Sequence, residues 1–70
     1  MNVWTWRLEA ADGSVLAGAA LPRPFFPSQA DAETWLGESW RSLFGSGVEQ
    51  VSLLEDGRVV YGPMSLRPLE

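Results

Sequence analysis

The sequence predicts an α+β fold with ββαββ order, in which a mainly antiparallel four-stranded sheet carries one helix packed on one face. Apolar and polar residues alternate near both ends of the chain, and each alternating region contains an Asp-Gly pair. A helical period of apolar residues lies between them. The 70 residues then form a single domain, 1–70, with strands at about 3–9, 15–21, 48–55 and 58–62 and a helix at about 29–44.

The first hairpin is predicted from strict alternation over residues 3–9, which places three large apolar side chains on one face of a strand. Asp12 and Gly13 suit the two central positions of a type I′ turn, which needs positive φ at both. In that register Ala11 pairs with Ser14, and the second strand follows directly.

The connection at residues 22–27 contains three prolines, which keep it extended and exclude it from the interior of a strand. Phe25 and Phe26 in this connection have two interpretations. They close one end of the core, or they form a contact patch for a partner.

The central segment is predicted to be an amphipathic helix that begins after Ser28, with Asp31 in its first turn. Gly45 or Gly47 can adopt the left-handed conformation that ends a helix. One face of this helix is an apolar stripe. It comprises Ala32, Leu36, Ser39, Trp40 and Leu43, with Trp35 at its edge.

The second hairpin, with its turn at Asp56 and Gly57, is predicted to be apolar on both faces. Alternation places Val51, Leu53 and Val60 on one face and Leu54, Val59 and Tyr61 on the other. One helix covers one face only, so the C-terminal tail, the Phe-containing connection or another molecule should cover the second.

The helix should form a crossover between strands two and three, which therefore run parallel. The order of strands stays open. Either strands two and three or strands one and four are central.

The composition excludes most catalytic chemistry. Without His and Cys the chain has no imidazole base, thiolate nucleophile or soft metal ligand, so we expect no enzyme activity and no cofactor. A net charge of -4, with five scattered Arg and no Lys, argues against nucleic acid and anionic membranes as partners. The N-terminus shows neither a signal peptide nor a membrane span, so a cytoplasmic location is expected.

The apolar content of 46%, with four Trp, exceeds what one small core readily hides. We therefore expect a non-catalytic protein-protein interaction or regulatory module whose partner is a second copy, in a homodimer, or another protein. The expected contact residues are Phe25, Phe26, Trp35, Trp40, Arg41 and Tyr61. The alternative is a small-ligand pocket between helix and sheet, lined by the first four of these, with Arg41 or Arg23 as a polar group.

The run from Trp6 to Leu16, followed by the segment from Ser28 to Ala32, resembles the repeat of the YegP-like family of small bacterial domains. That repeat has an aromatic, Arg and Leu strand, an Asn or Asp with Gly turn, and a Ser-capped helix. The resemblance implies a strand pair with a helix packed across it and a tendency to pair such units into a larger sheet. It implies no activity.

Overall fold

The computed structural model describes residues 2–16 and 24–67. Its elements are β1 (Trp4–Glu9), β2 (Phe25–Phe26), α1 (Gln29–Gly45), β3 (Gln50–Glu55) and β4 (Arg58–Ser65). The strands form one four-stranded sheet in the order β2-β1-β3-β4, and every neighbouring pair is antiparallel. This confirms the predicted α+β fold, with the helix between the second and third strands.

The strand order differs from both predicted orders because strands one and three are central. β2 and β3 both run antiparallel to β1, so they are parallel to each other, as the crossover predicts, with β1 between them. The physical reason is length. β1 and β3 match over six residue pairs, whereas β2 supplies two, so the longer ladder of hydrogen bonds forms between β1 and β3.

Among the described residues the second strand is Phe25–Phe26, whereas a strand was predicted at 15–21. Val15 forms an isolated antiparallel bridge with Glu9, and residues 17–21 lie outside the described part of the chain. The edge position is taken by Phe25 and Phe26, so the proline-rich connection contains a two-residue strand where none was predicted. An edge strand needs hydrogen bonds on one side only, which flanking prolines allow.

The first turn is one residue longer than predicted. The Ala10 N–H donates to the Ser14 carbonyl at 2.9 Å, and the Gly13 N–H donates to the Ala10 carbonyl at 2.9 Å. Ala11 therefore lies within a three-residue loop and does not pair with Ser14. Gly13 has a φ of +90°, and Asp12 accepts hydrogen bonds from both the backbone and the hydroxyl of Ser14, which favours this loop over a type I′ turn.

The helix begins and ends where local signals predict. The Ser28 Oγ accepts a hydrogen bond from the Asp31 N–H at 3.2 Å, as an N-cap does. At the other end Gly47 has a φ of +101° and its N–H donates to the Phe44 carbonyl at 3.1 Å. The predicted helix, 29–44, and the observed one, which ends at Gly45, differ by one residue.

The core lies between α1 and the sheet. Trp6 anchors the helix, because its Nε1–H donates to the Ala32 carbonyl at 2.8 Å. The buried apolar side chains of the described residues are Trp6, Leu8, Ala32, Leu43, Val48, Val51, Leu53 and Leu66. The backbone of the helix lies closest to β1 and β2, and the buried apolar strand residues belong to the two central strands, β1 and β3.

The last strand breaks the predicted alternation. Leu54 pairs with Val59 and Leu53 with Tyr61, so β4 contains an extra residue between these two pairs, and a second shift lies between Val51 and Leu53. Tyr61 consequently lies on the helix side of the sheet, and the prediction that it shares a face with Leu54 is wrong. β4 also continues past the predicted end at residue 62, to Ser65.

Candidate functional site

The face of the sheet opposite α1 carries a row of cross-strand neighbours that spans all four strands. Thr5 pairs with Phe25 on one side and with Leu54 on the other, and Leu54 pairs with Val59. Phe25 is 75% exposed and Val59 is 46% exposed. We call these four residues the apolar row, and no described element packs against it.

A polar cluster borders the apolar row on the same face. Oε2 of Glu9 accepts hydrogen bonds from Arg7 Nε and Ser52 Oγ, both at 2.8 Å, and Oε1 accepts one from Gln50 Nε2 at 2.9 Å. Glu9 is only 2% exposed and Ser52 is fully buried. We call these four residues the Glu9 cluster.

The Glu9 cluster stabilises a charged carboxylate. Burial would raise the pKa of Glu9, but the hydrogen bonds from Arg7, Gln50 and Ser52, together with the charge of Arg7, outweigh burial and lower the pKa below its usual value. The side chain therefore stays ionised at neutral pH. Its negative charge is matched by Arg7, so this part of the face is locally neutral.

The sequence predicts that the second hairpin is apolar on both faces. In the structure the face opposite α1 is only partly apolar. Leu54 and Val59 lie on it as predicted, but the centre of the face belongs to the Glu9 cluster. The difference arises because β3 presents Gln50 and Ser52 on this face beside the alternating polar residues of β1.

A groove lies on the other side of the sheet, between α1 and β4. It consists of two adjoining pockets of about 330 and 370 Å³ that share lining residues. Its apolar lining comprises Trp6, Leu36, Trp40, Tyr61, Met64 and Leu66, and Gln29, Glu33, Gly37, Ser65 and Arg67 complete it. We call this feature the α1–β4 groove.

The α1–β4 groove has an uneven charge distribution. Glu33 borders both pockets, and its Oε2 accepts a hydrogen bond from Gln29 Nε2 at 2.9 Å. Arg67 lies at one end, where its guanidinium forms an ion pair with Glu49 at 2.9 Å. The ion pairs between described residues are this one and that of Arg7 with Glu9, so none involves Glu33.

The structure does not bring the six predicted contact residues together. Phe26 and Trp35 pack on each other with ring centroids 5.8 Å apart, where the helix meets β2. Arg41 lies over the Trp40 ring, 5.3 Å from its centroid, and Trp40 also borders the α1–β4 groove.

The two remaining residues occupy opposite faces of the sheet. Phe25 belongs to the apolar row, and Tyr61 borders the α1–β4 groove. Of the four aromatic residues predicted to line a ligand pocket, only Trp40 borders this groove. Arg23 lies outside the described residues.

Sequence reasoning missed the residues that matter most at both places. Alternation over residues 3–9 places Glu9 on the polar side of the first strand and gives no sign of burial, because its partners Gln50 and Ser52 are 41 and 43 residues away. The predicted fourth strand ends at residue 62 and leaves Met64 outside it, whereas the longer β4 of the structure places Met64 in the lining of the groove beside the helix.

Two further observations concern the described residues alone. None of their helices is long and apolar enough to cross a membrane. No group of three or more Asp and Glu side chains within 2–16 and 24–67 could hold a metal ion.

No known protein family matches the chain, and no curated protein or solved structure shows significant similarity to it. The resemblance to the YegP-like repeat therefore stays a prediction.

Proposed function

We propose that this protein is a non-catalytic interaction module that forms a homodimer through the sheet face opposite α1. The observation that carries this proposal is the apolar row, in which Phe25 and Val59 are exposed and Leu54 is half-buried, with Thr5 between Phe25 and Leu54. Contiguous exposed apolar patches are typical of interaction sites, whereas isolated exposed apolar residues are common on any surface.

The shape of the apolar row suits a second copy of the same face. Four strands spaced about 4.8 Å apart make the row about 14 Å wide, and two such sheets can pack face to face about 10 Å apart. A two-fold axis would place Phe25 of one copy against the other copy's sheet. Because both copies would use the same face, the assembly would stop at a dimer.

The charges on this face are compatible with self-association. Each chain carries a net charge of -4, which opposes dimer formation. On the face itself, however, the ion pair between Arg7 and Glu9 cancels the charge, and the apolar row has no ionisable side chain. Repulsion therefore acts from a distance and is weakened by salt, while the apolar contact is not.

The test is the molecular mass in solution, measured by sedimentation velocity at micromolar and at about millimolar concentration. We expect the wild-type protein to reach twice the mass of one chain. Val59→Lys places a charge in the apolar row, and we expect this variant to stay monomeric.

The matched control is Tyr61→Lys, which adds the same charge to the same strand on its other face. Tyr61 is 58% exposed and Val59 is 46% exposed, so both variants should fold, as circular dichroism can verify. Dimerisation of Tyr61→Lys together with loss of the dimer in Val59→Lys supports pairing through the face. A monomeric wild-type protein, or equal loss in both variants, contradicts it.

A further inference from the structure

The α1–β4 groove exists because the helix is displaced toward one edge of the sheet. α1 packs on β1 and β2 and leaves the helix side of β4 uncovered by any described element. The groove follows the helix from Gln29 to Trp40, a distance of about 16 Å at 1.5 Å per residue. It is therefore an elongated channel and not a round cavity.

The middle of the groove is apolar and open. Leu36 and Met64 border both pockets and are half-buried, and Trp40 extends the apolar surface toward one end. Gly37 borders the second pocket, and a Cβ added there would meet nothing within 4 Å, so the space beside it is open. A side chain at that position would occupy the space that a ligand needs.

The charge of the groove favours one kind of ligand. Glu33 borders both pockets, and its only described polar contact is the uncharged Gln29 amide. Arg67, the one cationic side chain among the described lining residues, already pairs with Glu49. The Glu33 carboxylate would repel an anionic ligand, whereas a cationic ligand could form an ion pair with it.

We propose that the α1–β4 groove binds a small organic cation, an amine attached to an apolar chain or ring, with the amine at Glu33 and the apolar part over Leu36, Met64 and Trp40. Each pocket, at about 330 and 370 Å³, falls within the size range of small-molecule sites. The apolar row, by contrast, lies on the opposite face of the sheet and is assigned to a second copy of the chain, so the two sites are separate.

The test uses three probes with the same apolar part, namely phenylbutylamine, phenylbutanol and phenylbutyrate. Each is titrated into the protein while NMR follows the Trp40 indole and the Met64 methyl. Trp35, packed on Phe26 away from the groove, serves as an internal reference. We expect the amine to bind about fivefold more tightly than the alcohol, as one exposed ion pair allows, and the carboxylate to bind most weakly.

Two matched pairs of variants locate the binding site. Glu33→Gln should remove the preference for the amine over the alcohol, whereas Glu38→Gln, on the same helix but outside the groove lining, should retain it. Gly37→Gln should block all three probes. Gly45→Gln should block none, since an added side chain there also meets nothing within 4 Å but lies away from the groove.

Four results would overturn the proposal. The amine and the carboxylate could bind equally, the Trp35 signal could shift in place of that of Trp40, or the two Glu variants could lose affinity equally. A short apolar peptide containing Lys could also saturate the groove where the free amine does not, which would assign the groove to a protein partner.

Discussion

Glu9 is the buried carboxylate that joins the two central strands of the sheet. Its carboxylate accepts hydrogen bonds from Arg7 of β1 and from Gln50 and Ser52 of β3. These bonds link the two central strands on the face opposite the helix. A buried carboxylate is tolerated only when its oxygen atoms are paired, and here both are. We infer that the ionised form of Glu9 contributes to the stability of the sheet.

This contribution should depend on pH in one direction. Hydrogen bonds from Arg7, Gln50 and Ser52 lower the pKa of Glu9 against the opposing effect of burial, so the folded protein binds this proton less readily than the unfolded chain. The stabilisation is present above the unfolded pKa of about 4.3 and is lost as pH falls through the lower folded pKa. Glu9→Gln should lower the free energy of unfolding by about 1–3 kcal/mol at pH 7 and flatten its decline below pH 5.

The measurement is urea unfolding followed by Trp fluorescence between pH 2 and 7. Asp12 also has a lowered pKa, because it accepts hydrogen bonds from the Ser14 hydroxyl and backbone, so Asp12→Asn is the necessary comparison. Asp12 is exposed in a turn, and its substitution should leave most of the acid dependence unchanged. Wild-type and Glu9→Gln proteins with parallel pH profiles would contradict the inference.

At the scale of elements, the sequence predicts what depends on neighbours along the chain. The N-cap Ser28 and the left-handed Gly47 each form a hydrogen bond with a backbone group only three residues away. The predicted and observed ends of the helix therefore agree to within one residue. The turn at Asp56 and Gly57 is similar, since both have positive φ, as type I′ geometry requires.

β4 was predicted less well because its geometry depends on β3. The register shift between Leu54 and Leu53 reverses the side of the sheet on which Tyr61 lies, and alternation in sequence carries no sign of it. At Gly62 the strand passes so close to β3 that an added Cβ would lie 2.9 Å from the Ser52 Cα and 3.0 Å from the Val51 carbonyl oxygen. Only glycine fits this approach without moving backbone.

Substitution at Gly62 should therefore be costly. Gly62→Ala combines a φ of +114° with steric overlap, and we expect a loss of about 3 kcal/mol in the free energy of unfolding. Gly57→Ala is the control, because Gly57 has a φ of +84° but open space around its Cα, and it should lose about 1 kcal/mol. Denaturant unfolding of both variants at neutral pH measures the two losses. An equal loss in the two variants would show that close packing on Ser52 has little effect.

For the whole molecule, the decisive feature is the imbalance between a small core and a large sheet. Within residues 2–16 and 24–67, eight buried apolar side chains form the core, and the face opposite the helix carries the apolar row and the Glu9 cluster. Composition predicts that a second layer is needed, but it cannot show that part of the face is satisfied by polar contacts. That information depends on the pairing of β1 with β3, which joins distant parts of the chain.

If a second copy supplies the missing layer, thermal stability should depend on protein concentration, because association stabilises the folded state by mass action. For a dimer of two 70-residue chains, each tenfold increase in concentration should raise Tm by about 5 °C. Val59→Lys should abolish this dependence, and Tyr61→Lys, whose charge lies on the other face, should retain it. Differential scanning calorimetry over a hundredfold range of concentration measures the effect. A wild-type Tm that is constant over that range would mean that the apolar row remains exposed in the folded monomer and that the core alone stabilises the domain.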